Sequence, residues 1–207
     1  KTRSLNKKWS QVYIPKLGWV KFRDTRLLDG SLKALRVVCQ NGDWFACIGV
    51  HSELTPQASS LPAVGIDRGV KISLALSSGQ SHTLAGVAGI ERKVRKAKRV
   101  MARRQRGSCR YLAARKRVAR LSAKAARIRR DWQHKTTTKI ACQFGTVVLE
   151  DLKTRRMTAR AHGSKVAQKR GLNRAILNVG WHSLETLLLY KLKERGGTLL
   201  KVNPAYT

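Results

Sequence analysis

The chain has 207 residues, 42% of them apolar, enough for a buried core in one large domain or two small ones. Its 44 Lys and Arg against 11 Asp and Glu leave a formal charge of +33; self-repulsion on that scale is relieved by a polyanion, nucleic acid before any other, although charge alone also leaves a polybasic membrane contact open. No apolar run approaches the length of a bilayer span, and Cys39, Cys47, Cys109 and Cys142 form no C-x-x-C pair, which argues against a zinc knuckle or a disulfide framework and fits a reducing compartment.

Residues 1–60 read as antiparallel β. Gln11–Ile14, the turn Pro15-Lys16-Leu17-Gly18 and Trp19–Phe22 predict strand, turn and strand. Lys33–Cys39 and Trp44–Val50 flank Gln40-Asn41-Gly42-Asp43, and Asn-Gly between apolar runs is the strongest short hairpin signal. Short strands at this spacing suggest a small barrel or sandwich, decorated by basic residues such as Lys16, Lys21 and Lys33. Trp9, Trp19 and Trp44 could stack bases, but the usual burial of aromatics favours core packing. Leu54–Leu61, with its Thr, Pro, Gln, Ala and Ser, is expected to be a linker.

The stretch Ala63–Gly79 is the most informative. A short apolar strand runs into Asp67, Arg68-Gly69 follow, and a second strand of alternating apolar and small or polar residues leads to a tight reversal at Gly79 and a third strand over Ser81–Leu84. A carboxylate at the end of a buried strand needs a hydrogen bond or a cation for company. Two readings of Asp67 stay open at this point, a functional acid and a turn cap.

Ile90, Val94, Ala97 and Met101 predict one amphipathic helix, and Ser108 is a good N-cap for a second, longer one. On the second, Ala114, Leu121 and Ile128 recur by sevens, as do Val118, Ala125 and Trp132, which predicts a narrow, Ala-rich packing seam. Arg110, Arg117 and Lys124 recur by sevens on another face, as do Arg120 and Arg127, and Arg103 and Arg106 precede the helix. Between Glu91 and Lys139 there are 20 Lys or Arg against two acids, more than a solvated face needs and suited to tracking phosphates. Tyr111, Trp132 and His134 are read as packing residues.

Gly145–Leu152 is a β-branched apolar strand that again ends in carboxylates. Strand, helical crossover and strand predict that it runs parallel to the strand ending at Asp67. If the two are neighbours, Asp67 and Glu150 emerge together at the carboxyl edge, where their repulsion calls for a proton or a divalent cation; oxygen ligands near phosphate favour Mg²⁺ or Mn²⁺. Asp151 is expected to face the other way, as a cap or an Arg partner. Lys153–Arg170, carrying Lys153, Arg155 and Arg156 with Gly163-Ser164 inside, is expected to be a mobile loop over this edge. Leu172–Glu194 predicts one amphipathic helix ended by Gly196-Gly197, and Thr198–Val202 a last strand.

Three antiparallel strands, a helical crossover, a parallel strand, a helix and a strand is the order of an RNase H-like α/β fold. The segments Gly65-Ile66-Asp67-Arg68-Gly69-Val70, Val148-Leu149-Glu150-Asp151-Leu152, Gly171-Leu172-Asn173-Arg174 with Gly180-Trp181, and Val202-Asn203-Pro204-Ala205-Tyr206-Thr207 resemble the RuvC-like nuclease core of transposon-encoded TnpB proteins, a core shared by type V CRISPR effector nucleases. The likeness divides the chain into a small antiparallel β-barrel resembling the family's wedge domain, residues 1–60, and a RuvC-like core with a mixed sheet, residues 61–207, into which a long basic helical insertion, residues 90–143, is set.

The resemblance implies an RNA-guided DNA endonuclease in which Asp67 and Glu150 are catalytic acids and metal ligands, with guide RNA and double-stranded target DNA bearing a short flanking motif as partners. Two Mg²⁺ ions about 4 Å apart would serve phosphodiester hydrolysis, and Lys16, Arg103, Arg106, Arg110, Arg117, Arg120, Lys124, Arg127, Lys153, Arg155 and Arg156 would hold nucleic acid. In the family, a zinc ribbon and a third catalytic Asp follow the Asn-Pro-Ala-Tyr-Thr segment, so Zn²⁺ is expected only in a ribbon beyond this sequence. The stop at Thr207 and the start at Lys1 suggest a fragment, and the loop around His162–Lys169 is short for the family. The implied location is the prokaryotic cytoplasm, beside the nucleoid, with no membrane. The rival readings are a guide-directed DNA binder without cleavage and a non-catalytic basic RNA-binding protein.

Overall fold

A computed structural model of the chain describes residues 2–24, 30–40, 42–51, 53, 55–160 and 165–206. Asn41 of the expected hairpin turn, His162, Gly163-Ser164 and Thr207 lie outside the described residues. The chain divides into two compact units, Lys1–Thr55 and Pro56–Thr207.

In the first unit, β1 (Thr2–Asn6), β2 (Trp9–Ile14) and β3 (Gly18–Arg23) form an antiparallel sheet, and β4 (Ser31–Gln40) and β5 (Asp43–His51) form a two-stranded ribbon. The sequence suggested a barrel or sandwich; among the described residues the strands make two separate sheets. β1 escaped the sequence because Thr-Arg-Ser-Leu-Asn has no alternation to mark it. The tryptophans also differ from expectation. Ser10 and Val12 of β2 turn inward, and period two then sends Trp9 and Tyr13, with Trp19 opposite Tyr13 on β3, to the solvent side. Trp44 sits in the ribbon and is 73% exposed.

In the second unit, β6 (Ala63–Asp67), β7 (Leu74–Leu76), β8 (Ser81–His82), β9 (Thr146–Glu150) and β10 (Thr198–Val202) form a mixed sheet in the order β10-β9-β6-β7-β8. β9 is parallel to both β6 and β10, whereas β7 is antiparallel to β6 and to β8. Helices α1 (Val87–Ala102) and α2 (Cys109–Gln143) connect β8 to β9, and α3 (Thr154–Met157), α4 (Val166–Val179) and α5 (Trp181–Lys193) connect β9 to β10. The Ser108 side chain caps α2 by accepting the Tyr111 backbone N–H, as its position predicts. None of these helices is long and apolar enough to cross a membrane.

The core lies on one side of this sheet. Val64 and Ile66 of β6, Leu74 and Leu76 of β7, and Val147 and Leu149 of β9 meet Ile140 and Ala141 of α2, Ile176 and Val179 of α4, and Trp181, Leu184, Leu188 and Leu192 of α5. Each fully buried aliphatic side chain contributes about 1.5–3 kcal/mol. Lys191 of α5 ties its helix to α2 by donating to the His134 carbonyl and to the hydroxyls of Thr137 and Thr138. Burial, and after it the nearby Arg195, push the Lys191 pKa down. Along α2 the expected seam is the less exposed one, through Ala114, Val118, Leu121, Ala125, Ile128 and Trp132, while Arg115, Arg117, Arg120, Arg127 and Arg130 between them stay exposed and Arg129 is half-buried against Glu91 and Asn178.

Four elements differ from the sequence reading, the third strand of the sheet by ending at His82 rather than Leu84. The second strand begins only at Leu74, because residues 70–73 bend: Gly69 lies so close to the Ile72 carbonyl that a Cβ would come within 2.5 Å, and the buried Ser73 hydroxyl accepts the Leu84 N–H. The loop expected over Lys153–Arg170 contains α3 and the first turn of α4 among its described residues. The single helix expected over Leu172–Glu194 is two, broken at Gly180. There φ is 71°, and Gln133 of α2 donates to the Val179 carbonyl at 2.8 Å. A Cβ on Gly180 would sit 2.6 Å from the Gln133 amide nitrogen. Gly180→Ala is therefore expected to destabilise by about 2 kcal/mol through its left-handed backbone and the displaced amide. Gly171→Ala, inside α4 with open space around it, should instead stabilise by about 0.5–1 kcal/mol. Urea unfolding of the two variants measures the difference in sign.

Candidate active site

Two strands end in acids at the same edge. Ile66 of β6 pairs with Leu149 of β9, so Asp67 and Glu150 follow one residue later on neighbouring parallel strands, whose backbones lie roughly 5 Å apart. Alternation decides their direction. Val64 and Ile66, like Val147 and Leu149, turn into the core, which sends Gly65 and Asp67, and Val148 and Glu150, to the opposite face. That face is an open hollow lined by Asp67 and Glu150 together with Gly65, Ala75, Ser77, Val148 and Val202. Gly65 is pinned by its N–H to the Ser77 hydroxyl at 3.0 Å, and it keeps the hollow shallow by offering no side chain. Asp67 is exposed and Glu150 half-buried.

Behind the edge lies a residue the sequence reading passed over. Arg68 follows Asp67 directly, and its side chain is only 2% exposed. Its guanidinium donates to the main-chain carbonyl of Glu150 and meets the Glu185 carboxylate of α5 at 3.3 Å, with the Trp181 ring 5.9 Å away. One buried cation thus ties the end of β6 to the end of β9 and both to a helix. Lys201 of β10 extends the chain of charges, 2.5 Å from Glu185 and 3.6 Å from Asp151. Its hydrogen bond to Glu185 is the main cause that holds its pKa above the ordinary lysine value. Asp151 does face away from the hollow, but its partner is this lysine rather than an arginine or a helix end. In a chain with 33 more bases than acids, one more Arg gave no signal; Glu185, the one acid in the sequence of α5, was the visible clue.

The donor set suits a hard divalent cation. Mg²⁺ retains several waters and is commonly held by one or two carboxylates with substrate phosphates supplying the rest, and the pair here consists of carboxylates on an open face. Among the described residues no three His, Cys, Asp or Glu side chains converge so that they could hold one metal ion. The four cysteines are free and exposed.

The other predicted residues distribute over distinct surfaces. Arg110 and Arg117 line a groove between α1 and α2, with Lys93, Lys96 and Arg104 on its rim and Ala97, Ala113, Ala114 and Leu121 on its floor. Arg120, Lys124 and Arg127 are exposed on α2 outside that groove, and Arg103 and Arg106 lie in the turn before it. Lys153 faces a cleft beside the carboxylate edge, shared with Asp151, Lys201 and Asn203, and Arg155 and Arg156 are exposed on α3. Lys16 belongs to the other unit, exposed in a turn at φ 69°.

A family model named OrfB_IS605 and described as "Probable transposase" matches residues 41–161. The chain is 35% identical over 211 residues to a protein of Escherichia coli (strain K12) named "Putative RNA-guided DNA endonuclease InsQ", covering 98% of this chain and 52% of that protein. It is 31% identical over 163 residues to a "Putative RNA-guided DNA endonuclease" of Streptomyces pristinaespiralis, covering 78% of this chain and 38% of that one. The chain therefore spans about half, or less, of the length of these relatives. Among solved structures it is similar to a CRISPR-Cas12f ternary complex, with TM-score 0.47, 19% identity and coverage of 84% of this chain and 34% of that one. A Cas12f1-sgRNA-target DNA complex is similar with TM-score 0.45, 17% identity and coverage of 82% and 42%.

Replacing Arg68 by Met keeps most of its volume but removes the buried cation that joins the two strand ends, leaving Glu185 to Lys201 and the Glu150 carbonyl to the Leu152 N–H. The expected loss of stability is about 3 kcal/mol, against less than about 0.5 kcal/mol for Asp67→Asn on the exposed face. Chemical denaturation of both variants checks this, and equal stabilities would mean that Arg68 does not tie the strand ends together.

Proposed function

The chain belongs to the OrfB_IS605 family of probable transposases, and on that premise we propose that it carries the catalytic edge of an RNA-guided DNA endonuclease. The observation that carries the reading is the side-by-side placement of Asp67 and Glu150 on the open face of two parallel strands. The strand order, with β6 central between an antiparallel pair and a parallel pair, supports an RNase H-like, RuvC-like core for residues 61–207. The named relatives support the substrate class. Residues 1–60 fill the role of a wedge-like nucleic-acid-binding domain, and residues 90–143 that of a basic insertion in the core.

Asp67 and Glu150 would be the residues to hold Mg²⁺ or Mn²⁺. A bound divalent cation supplies Lewis-acid activation of water and neutralises charge on the leaving oxygen. Arg68 keeps the two strand ends in register from behind, so that the carboxylates stay on the water-facing side. Lys153, Arg155 and Arg156 flank the same edge and take the phosphates of the strand to be cut, while the α1–α2 pair grips a guide–target duplex through its backbone. In this arrangement, base pairing reads sequence, and protein contacts read a short flanking motif and duplex shape.

A second reading is a guide-directed binder that does not cut, which the exposed Arg and Lys side chains of α2 would serve equally well. One experiment separates the two. In the full-length protein with guide RNA, Asp67→Ala and Glu150→Ala are expected to abolish Mg²⁺-dependent cleavage of a matched plasmid while guide-directed binding survives. Undiminished cutting by either variant overturns the assignment, and binding without cutting by the unaltered protein selects the second reading. Separately, replacing Arg110, Arg117 and Lys124 by Gln should weaken duplex binding and flatten the dependence of log K on log salt by about 3, near one unit for each phosphate left without its cation. Fluorescence anisotropy at several salt concentrations measures this slope.

A further inference from the structure

Three aromatic side chains stand on the water-facing side of the β1–β3 sheet: Trp9 is 37% exposed, Tyr13 45% and Trp19 39%. The opposite side of the same sheet carries the inward-facing Ser10 and Val12, so these rings are not edges of a core. They are held by cations. The Arg3 guanidinium lies 4.3 Å from the Trp19 ring centre and donates to the Gln11 side chain at 2.7 Å; the Lys21 ammonium lies 4.7 Å from the Trp9 ring. Tyr13 meets Trp19 edge-on, with ring centres 5.7 Å apart. None of the three strands contains an acid.

We propose that this sheet face is a stacking platform for unpaired nucleotides. The inference rests on the nucleic-acid function proposed for the chain and names a site and mode of binding for the N-terminal unit. Flat π-faces accept any exposed base, and the interleaved cations meet the phosphates between bases. Tyr13–Trp19 with Arg3 forms one station and Trp9 with Lys21 another, four residues apart along β2 and thus roughly 14 Å. Their cation contacts fix the ring orientations before a ligand arrives, which lowers the ordering cost of binding. A duplex keeps its bases stacked within itself and offers this face only phosphates, so the platform distinguishes single strands from duplex. Stacking itself accepts ribose or deoxyribose.

The test uses the whole chain with fluorescein-labelled rA12, dA12 and a blunt DNA duplex. The Trp9→Ser/Trp19→Ser double variant should lose about tenfold or more in affinity for the single strands, stay within about twofold for the duplex, and keep the salt slope. The Trp9→Phe/Trp19→Phe variant keeps two rings and should retain single-strand affinity within about threefold. It should also lose most of the tryptophan quenching that rA12 or dA12 produces in the unaltered chain, which keeps the question decidable if the Ser variant does not fold. Preference between rA12 and dA12 tells whether the natural ligand is RNA or DNA. Equal losses for duplex and single strands, unchanged affinities, or quenching that persists in the Phe variant would overturn the proposal. So would self-association abolished by the same substitutions, which would assign the face to a second copy. If the unaltered chain binds no nucleic acid, the proposed function falls too; if it binds and only the ring substitutions are silent, this inference falls alone.

Discussion

The parallel pairing of β6 with β9 is the constraint from which the candidate site follows. Side chains on a strand alternate with period two, so a slip of one residue would turn Asp67 or Glu150 into the apolar core and bring Ile66 or Leu149 to the water. The core side chains oppose that slip, and on the same side of the sheet Arg68 opposes it directly, because its guanidinium reaches the main-chain carbonyl of Glu150 as well as the Glu185 side chain. A backbone acceptor ties the register itself, whatever the carboxylate above it does.

A buried arginine is costly to desolvate, and the surrounding charges offset that cost. Glu185 stands 3.3 Å from Arg68 and 2.5 Å from Lys201, which in turn approaches Asp151. Three strands and one helix are thus joined by alternating charge just beneath the hollow. The chain has 11 acids, and this small region holds Asp67, Glu150, Asp151 and Glu185. Elsewhere the charge is almost all of one sign, so surface and site follow opposite electrostatic logic. The surface accumulates cations to meet a polyanion, while the edge concentrates carboxylates.

Much of this was legible in the sequence. Two apolar strands ending in acids on either side of a helical crossover imply parallel neighbours, and the structure pairs them; Ser108 marked the start of α2, and the Ala-rich seam marked its packing side. What stayed hidden depended on partners distant in sequence. Gly180 looks like any helical glycine until Gln133, 47 residues earlier, is found against it. Arg68 is one of 44 bases, and its burial depends on Glu185. The outward tryptophans misled because aromatic residues usually mark a core, whereas here Ser10 and Val12 took the inner face. β1 had no pattern to read, since its pairing with β2 supplies the hydrogen bonds that its own composition does not advertise.

The Ala-rich seam between α1 and α2 has a consequence for charge density. Small residues let the two helices lie close, so their cations share one rod instead of two. Between Arg92 and Arg130 there are 18 Lys or Arg, and at 1.5 Å per residue the paired helices extend roughly 33 Å. That is roughly one positive charge every 2 Å, close to the one negative charge per roughly 1.7 Å of double-stranded DNA. The hairpin is in this sense an electrostatic mould of a duplex, with a linear charge commensurate with the polymer it would face.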